Sequence, residues 1–332
     1  MRVLITGAGG FIGSHLVESQ LEQGHYVRAF DLDVGGLTHA AHHRRLEIVA
    51  GDLTDCALLD GLVAGVEKVY HLASAHLNVH LADRHYWEVN VEGTVRLLRA
   101  AQRAGVRRVV HCSSVGVFGD VQGPPADEET PCNPTNIYEL TKLAGERAAL
   151  RYARELGLVV VAARPAWVYG PRCPRTRKLL RAIKRGRFVI LGDGRNLRHP
   201  IYVADVVAGL ERCAVAGQQG ETYILAGHAP VTVEGLARTA AEVVGAPPPS
   251  LRLPAAPAIA AGVALQSAFG LVGREPPFSR RSVDFFVKNN AYATGKAQRE
   301  LGFQAQTDLR DGLAQTWSWL SQREGLAQHE QH

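Results

Sequence analysis

Short apolar runs alternate with amphipathic helical patterns along most of the chain. The runs are rich in Val, Leu, Ile and Ala, which is typical of strands buried on both faces of a sheet. Between them, apolar residues recur every three or four positions, which indicates helices. The predicted strands are residues 2–6, 25–30, 44–55, 68–73, 106–112, 158–164 and 221–226. Strands and helices in this alternation predict an α/β fold with a doubly wound parallel sheet.

The pattern changes after Pro165. Residues 1–165 are predicted to form the first domain, and residues 166–332 a smaller carboxyl-terminal lobe. About 201–227 of that second part is expected to contribute back to the sheet. Residues 253–272 carry no charge, but Ala and Gly dominate them and two prolines interrupt their start. A buried or ligand-facing cap helix is therefore favoured over a membrane span.

A glycine-rich turn joins the first predicted strand to the first predicted helix. Gly7, Gly10 and Gly13 follow the strand, and Asp31 ends the next one. Glycines permit a tight turn against a pyrophosphate, and the helix start offers free N–H groups. An acid about 20 residues further on favours ribose hydroxyls and repels a 2′-phosphate, so NAD is predicted over NADP. The cofactor contacts predicted here are Gly7, Gly10, Phe11, Ile12, Gly13 and Asp31.

Other strand ends are expected at the same edge of the sheet, where ligands bind in open α/β folds. Asp52 and Leu53 lie at the end of the third predicted strand and are placed near the adenine. Further cofactor contacts are predicted at Leu72, Ala73, Ser74, Asn90, Arg164 and Pro165.

Tyr138 and Lys142 lie four residues apart in a predicted helix, so their side chains share a face. Free tyrosine is a poor base at neutral pH because its pKa is about 10. A nearby ammonium favours the phenolate, which makes the pair a usable acid and base. Ser114, at the end of a strand, is expected to hydrogen-bond the reacting oxygen. The predicted catalytic residues are Ser114, Tyr138 and Lys142, and the last two are also predicted to contact the cofactor.

Composition narrows the classes of function only slightly. Five cysteines without a CxxC pair argue against a disulfide framework or a structural zinc, and indicate a reducing, cytoplasmic setting. His76 and His80 have helical ligand spacing, but no HExxH pattern accompanies them, so no metal is predicted.

The net charge of +5 owes much to the stretch 172–187. No aromatic platform accompanies that stretch, so nucleic acid is not an expected partner. A strand that begins at residue 2 leaves no room for a signal peptide, and none is expected.

These motifs together resemble the extended short-chain dehydrogenases/reductases, the group of nucleotide-sugar epimerases, dehydratases and 3β-hydroxysteroid dehydrogenase-like enzymes. The resemblance rests on the segments 6–13, 52–53, 114–119, 138–142 and 164–171, and it continues into 297–303 and 311–320. It implies a Rossmann domain that binds NAD and a smaller substrate-binding lobe. It also implies a homodimer formed through helices near 91–104 and 137–156.

The resemblance leaves the substrate open. Arg198 stands where sugar-nucleotide enzymes carry a diphosphate-binding arginine. Arg172 belongs to the basic stretch, which fits either an anionic substrate or a solvated helix face. Trp167 occupies a position that is often Asn in those enzymes, and an indole cannot copy the role of Asn. The predicted substrate contacts are Ser114, Trp167, Arg172 and Arg198.

Three hypotheses follow. The first is a nucleotide-sugar epimerase. A 4,6-dehydratase is disfavoured, because Val115 and Gly116 follow Ser114 where dehydratases carry an Asp-Glu pair. The second is a dehydrogenase or reductase of an apolar alcohol or ketone, which the uncharged stretch 253–272 favours. The third, a non-catalytic NAD-binding sensor, conflicts with the intact Ser114, Tyr138 and Lys142.

Overall fold

The computed structural model describes residues 1–76, 81–257, 260, 285–286 and 288–329. His80 and most of the uncharged stretch 253–272 lie outside the described residues, so the predictions made for them are not followed further.

A seven-stranded parallel sheet forms the centre of the molecule, with strand order β11-β6-β5-β4-β1-β2-β3. Its strands are β1 Arg2–Thr6, β2 Tyr26–Asp31, β3 Leu46–Ala50, β4 Lys68–His71, β5 Arg108–Cys112, β6 Val159–Pro165 and β11 Thr222–Leu225. The predicted doubly wound sheet is confirmed, and the predicted run 221–226 supplies its edge strand. The order reverses direction between β1 and β4, which is where ligands bind in such sheets.

Helices cover both faces of this sheet. In chain order the helices are α1 Phe11–Glu22, α2 Cys56–Val63, α3 Asp83–Trp87, α4 Thr94–Arg103, α5 Ile137–Leu156, α6 Pro174–Lys184, α7 Val203–Ala216, α8 Val233–Val244, α9 Gly295–Leu301 and α10 Leu309–His329. Glu88–Gly93 is wound as a π-helix between α3 and α4, and Gly35–Ala40 and Val115–Phe118 are 3₁₀ turns.

Each central strand buries alternate side chains in two separate apolar clusters. Val3 and Ile5 of β1 pack with residues of α1 and α7 on one face. Leu4 packs with residues of α2, α4 and α5 on the other. Because both faces are covered, the strands need apolar residues at every position, and this explains the continuous runs in the sequence.

The rest of the chain forms short strand pairs and helices at one end of the sheet. The short strands are β7 Trp167–Tyr169, β8 Ile190–Leu191, β9 Leu197–Arg198, β10 Pro200–Tyr202, β12 Val231–Thr232 and β13 Arg252–Leu253. Among them, β7 pairs with β10, β9 with β12 and β8 with β13. Helix α8 packs against α6 and α10. Within the described part of the chain, no helix is long and apolar enough to cross a membrane.

Candidate active site

The turn after β1 lies at the reversal point of the strand order. Gly7 has a φ of +72°, and a Cβ there would lie 2.6 Å from the backbone of both Leu72 and Ala73. A Cβ on Gly13 would overlap the carbonyl oxygen of Gly7. These two positions therefore require glycine to bring the turn, α1 and the end of β4 together. At Gly10 a Cβ would meet only the Gly7 oxygen, at 3.2 Å, so its outer side stays accessible.

The first turn of α1 suits a pyrophosphate. Gly10 precedes the helix and offers no side chain to cap it, and no acidic residue lies in the first turn. The first N–H groups of a helix then remain available to an anion, and the helix dipole favours negative charge. The residues present therefore fit a dinucleotide, which Phe11 and Ile12 would bind through their backbone.

Asp31 ends β2 beside this turn. Its Oδ2 accepts a hydrogen bond of 2.8 Å from the N–H of Gly9. Burial raises the pKa of the Asp31 carboxyl, against the hydrogen bonds from backbone N–H groups that lower it. The carboxylate is thus fixed next to the glycine turn, as the predicted contact with an adenosine ribose requires.

Replacing Asp31 with Ala is expected to shift cofactor preference toward NADP by about tenfold or more, because a carboxylate repels a 2′-phosphate. The measurement is the ratio of dissociation constants for NADH and NADPH. Asp33→Ala is the matched control, since Asp33 is exposed and its Oδ1 accepts from the N–H of Gly35. A ratio that changes in Asp33→Ala and stays constant in Asp31→Ala would contradict the assignment.

Two of the candidate catalytic residues, Ser114 and Lys142, lie at the end of β5, and Tyr138 is one helical turn before Lys142 on α5. Ser114 follows β5, and its Oγ accepts a 3.0 Å hydrogen bond from the N–H of Gly116. Tyr138 and Lys142 lie one turn apart on α5. The Nζ of Lys142 donates to the carbonyl oxygen of Cys112 at 2.6 Å, two residues before Ser114. The ring of Tyr138 packs edge-on against His76, with centroids 4.9 Å apart.

Lys142 is almost completely buried, with 4% of its surface exposed. Burial lowers the pKa of its ammonium. Nearby histidines add no positive charge, because burial together with the Lys142 ammonium lowers the pKa of His71 to about 3 and that of His111 well below its usual range. The lysine is therefore the local source of positive charge beside Tyr138, the arrangement that favours a phenolate.

A buried chain of hydrogen bonds links the glycine turn to this region. Thr6 Oγ1 accepts from the N–H of Ala73 and bonds His71 Nδ1 at 2.7 Å. On the other side, His71 Nε2 bonds Thr94 Oγ1 at 2.9 Å, and Thr94 donates to the carbonyl oxygen of Asn90. Each threonine has one hydroxyl proton, so the pattern assigns the imidazole proton to Nε2. No pattern in the sequence predicted this neutral, buried His71.

Asn90 links the segment after β4 to helix α5 through side-chain hydrogen bonds. Its Oδ1 accepts from the N–H of Ala75 at 2.7 Å and from Ser74 Oγ at 3.0 Å. Its Nδ2 donates to the carbonyl oxygen of Ala75 and to Thr141 Oγ1, one residue before Lys142. A Cβ on Gly145 would overlap the Asn90 carbonyl oxygen, so α5 approaches the π-helix here. Asn90 and Ser74 thus bind protein groups, and their contact with a cofactor stays a prediction.

His71 makes stability depend on pH. Its pKa of about 3 lies below the ordinary 6.5. Above pH 6.5 the imidazole is neutral in both states, so it does not make the free energy of unfolding depend on pH. Between pH 6.5 and about 3 only the unfolded chain binds the proton, so the free energy of unfolding decreases as the pH falls. We expect this one residue to account for about 1.4 kcal/mol per pH unit within that window. Urea unfolding of the wild type and of His71→Gln at a series of pH values measures this slope. Equal slopes in the two proteins would contradict the buried neutral imidazole.

The remaining predicted cofactor residues surround the same edge of the sheet. Asp52 Oδ1 accepts from the N–H and Oγ of Thr54, which closes the turn after β3, and Leu53 is buried. Pro165 is the last residue of β6. The guanidinium of the neighbouring Arg164 binds the Glu146 carboxylate of α5 through two hydrogen bonds, at 2.9 and 2.6 Å.

The predicted substrate residue Arg172 faces helix α1. Its Nη1 and Nη2 donate to the two carboxylate oxygens of Glu18, at 2.9 and 2.5 Å. Burial and this guanidinium lower the pKa of the adjacent His15 to about 4. Arg172 also adopts a φ of +68°, the one positive value at a non-glycine among the described residues. These contacts join the first turn after β7 to α1, so the Arg172 guanidinium binds a protein carboxylate and its predicted contact with a substrate stays a prediction.

Trp167 and Arg198 share a neighbour, Phe285. The Trp167 ring meets the Phe285 ring edge-on, with centroids 5.6 Å apart. The Arg198 guanidinium lies 4.7 Å above the same ring, and its Nε donates to the Phe285 carbonyl oxygen at 2.7 Å. Arg198 is 5% exposed, whereas Trp167 is half-buried. The two predicted substrate residues thus lie together on one phenyl ring, with the indole half-buried and the guanidinium buried.

Glu139 is not among the residues predicted from the sequence. Its carboxylate accepts from the N–H and Oγ of Thr135, and its own N–H donates to Asn136, the residue that caps α5. Lys288 lies beside it, with Nζ 3.8 Å from Glu139 Oε1. The signal was present as a polar cap followed three residues later by Glu, the pattern that opens a helix.

The chain is similar to known proteins over most of its length. Residues 3–226 match the model of the NAD dependent epimerase/dehydratase family. A UDP-glucose 4-epimerase of Mycolicibacterium smegmatis is 33% identical over 95% of this chain and 97% of its own length. A 3 beta-hydroxysteroid dehydrogenase/Delta 5→4-isomerase of Mycobacterium tuberculosis is 30% identical over 95% and 89%. The crystal structure of a dTDP-glucose 4,6-dehydratase from Streptomyces venezuelae with NAD bound is 28% identical, covers 98% of both chains and superimposes with a TM-score of 0.81.

Proposed function

Because the chain belongs to the NAD dependent epimerase/dehydratase family, we propose that it oxidises a secondary alcohol, or reduces the ketone, with Tyr138 as acid and base. The contact that carries this proposal is the hydrogen bond from Lys142 to Cys112, which seats the catalytic helix next to Ser114. NAD, when bound, accepts a hydride from the carbinol carbon and returns it.

Each of the three residues has a distinct part in this reaction. Tyr138 removes the hydroxyl proton as the carbon is oxidised and gives it back on reduction. Lys142, charged and buried, stabilises the phenolate that does so. Ser114 orients the substrate oxygen through its hydroxyl, whose Oγ is already positioned by the N–H of Gly116.

As the first candidate substrate we propose a nucleotide sugar, turned over by an epimerase-type cycle of oxidation and reduction. The support is the buried Arg198 guanidinium beside Phe285, together with the similarity to a UDP-glucose 4-epimerase and a dTDP-glucose 4,6-dehydratase. A guanidinium suits a diphosphate because it donates several hydrogen bonds in one plane.

The second candidate is an apolar secondary alcohol. The Trp167 and Phe285 rings favour it, since they offer an apolar surface to the cleft. The hydrogen bond from Arg198 to the Phe285 carbonyl also occupies one donor that a diphosphate would use. A hydroxysteroid dehydrogenase is among the similar proteins.

One experiment separates the candidates. Purified protein is mixed with NAD and either UDP-glucose, dTDP-glucose or the 3β-hydroxysteroid dehydroepiandrosterone. The melting temperature, the NADH absorbance and the sugar nucleotides separated by chromatography are followed. A sugar nucleotide that binds the folded protein raises its melting temperature. An epimerase-type cycle returns its hydride and leaves no net NADH, so a new sugar nucleotide is the result expected from the first candidate. NADH formed from the steroid without any new sugar nucleotide rejects the sugar, and no product from any of the three rejects the proposed reaction for these classes.

We further propose that the protein forms a homodimer through α4 and α5. Trp87 at the end of α3 and Leu140 on α5 are large apolar side chains that are 39% and 43% exposed. A second copy would cover them. Sedimentation analysis of the wild type and of Leu140→Glu tests this, and a wild-type monomer at micromolar concentration rejects it.

A further inference from the structure

One strongly basic surface has no part in the proposed reaction. Between Cys173 and Gly192 the chain carries seven Lys and Arg residues and no Asp or Glu. The whole chain has a formal net charge of only +5, so the remaining residues together are net negative. The positive charge of the protein is therefore concentrated in α6 and in the turn that follows it.

These charges lie on the outer side of α6. Leu180, on the other side, is fully buried, and α6 packs there against α8. At about 3.6 residues per turn, Arg177, Lys178 and Arg185 fall within an arc of about 100° that is turned away from Leu180. The basic face consists of these three exposed residues and the exposed Arg187.

The protein itself does not neutralise the basic face. Exposed arginines elsewhere pair with carboxylates, since Arg103 Nη2 lies 2.6 Å from Asp60 Oδ1 and Arg84 Nε lies 2.7 Å from Glu88 Oε1. Among the residues that the structure describes, no carboxylate comes within ion-pair distance of any member of the basic face. Its charges are thus available to an external anion.

The stability of α6 does not explain this pattern. Arg175 and Arg177 lie in the first turn, where the positive end of the helix dipole opposes cations, and no acidic residue compensates for them there. Arg181 follows Arg177 by four residues and precedes Arg185 by four, and like charges at this spacing destabilise a helix. A cationic face that costs helix stability is better explained by a partner with negative charge.

An exposed apolar edge lies near the basic face. Leu251 directly precedes β13 and Leu253 ends it, and their side chains are 57% and 47% exposed. Side chains two positions apart in extended backbone point to the same side. The carbonyl oxygen of Leu251 accepts a 3.0 Å hydrogen bond from the N–H of Ile190, three residues after Arg187. Two exposed leucines therefore lie close to the carboxyl-terminal end of the basic face.

We propose that the basic face, together with Leu251 and Leu253, docks the protein on an anionic lipid surface. The guanidinium and ammonium groups attract lipid phosphates, and the leucine side chains enter the apolar boundary beneath the headgroups. This binding is independent of the proposed reaction, so its test needs no substrate.

A nucleic acid fits this surface less well. Single-stranded bases stack on exposed aromatic side chains. Phe188, which directly follows the basic face, is half-buried and packs on Phe286 with ring centroids 5.8 Å apart. A phosphate backbone also offers no apolar surface to Leu251 and Leu253, whereas a bilayer does.

The full-length protein is sedimented with vesicles of phosphatidylcholine alone and with vesicles in which about a third of the lipid is phosphatidylglycerol. We expect binding to the anionic vesicles only, and loss of that binding at high salt, because salt screens exposed charges. The triple variant Arg177→Gln/Lys178→Gln/Arg185→Gln is expected to weaken binding by about a hundredfold, since each basic residue near the bilayer contributes about a factor of five.

Arg84→Gln/Arg103→Gln/Arg107→Gln is the matched control, because it removes the same net charge from exposed residues outside the basic face. It should bind vesicles as the wild type does. Leu251→Ser/Leu253→Ser is expected to weaken binding about tenfold and to leave its salt dependence unchanged. The melting temperature of each variant is compared with that of the wild type, and the salt dependence of the wild type tests the charge even if a variant unfolds.

No binding to the anionic vesicles, or equal binding to both kinds of vesicle, overturns the proposal. An equal loss in the control variant overturns the assignment to the basic face. Wild-type binding by Leu251→Ser/Leu253→Ser overturns the role of the leucines. Binding to a DNA duplex of random sequence at the same salt, without binding to vesicles, overturns the lipid surface in favour of a nucleic acid.

Discussion

Replacing Tyr138 with Phe is expected to lower kcat by about a thousandfold and to change the dissociation constant of NAD by less than about twofold. Removing a positioned acid or base typically costs a factor of 10²–10⁴. The glycine turn and Asp31, which are predicted to bind the cofactor, belong to β1, α1 and β2 and are untouched by the substitution. Steady-state kinetics with whichever candidate substrate is turned over gives kcat, and fluorescence titration gives the affinity for NAD.

Tyr152→Phe is the control for this variant. Tyr152 lies on the same helix, its hydroxyl meets Arg99 at 3.5 Å, and its ring packs between Arg99 and Arg151. It should keep wild-type kcat. Near-normal turnover in Tyr138→Phe, or an equal loss in Tyr152→Phe, would show that the phenol of Tyr138 does not transfer the proton.

The parallel sheet was predictable because its strands are buried on both faces. That burial demands unbroken apolar runs, as in Val3, Leu4 and Ile5, and such runs are visible without any knowledge of the partners. The glycine spacing and Asp31 were predictable for a similar reason. Where backbone packs directly on backbone, as Gly7 packs on Leu72, a residue with a Cβ does not fit and only glycine is accommodated.

Side-chain partners far apart in the chain were not predictable in this way. No local pattern around Arg172 predicts its ion pair with Glu18, 154 positions earlier in the chain. A basic stretch suits an anionic substrate equally well. The same holds for Asn90, whose amide joins Ala75 to Thr141. Glu139 carried a readable helix-start pattern, but only the fold reveals that Lys288 lies beside its carboxylate.

The same α5 carries one more charged group, Glu146, which is one turn after Lys142. Its carboxylate binds the Arg164 guanidinium, and the two side chains are 3% and 7% exposed. Burial opposes the charge on Arg164, but hydrogen bonding to Glu146 raises the pKa of the guanidinium. Arg164 also lies 4.9 Å above the ring of Phe118, in the 3₁₀ turn that follows Ser114. The pair therefore holds together α5, β6 and the Ser114 turn.

Glu146→Leu is expected to reduce the free energy of unfolding by about 3–5 kcal/mol, because it leaves the buried Arg164 charge without its partner. The double variant Glu146→Leu/Arg164→Met is expected to recover most of that loss. An apolar pair of similar volume carries no desolvation penalty, and replacing a buried ion pair in this way is often neutral or stabilising. Urea unfolding at neutral pH measures both variants and the single Arg164→Met.

The double-mutant cycle also tests what the pair does for catalysis. If Glu146 and Arg164 serve only to hold α5 against β6, the double variant should regain kcat along with stability. If the Glu146 carboxylate also supports the Lys142 ammonium, whose charge it favours, stability returns but the pH profile of kcat stays altered. A double variant as unstable as Glu146→Leu would contradict the account of the buried charge, since the destabilisation would then arise from lost packing around α5.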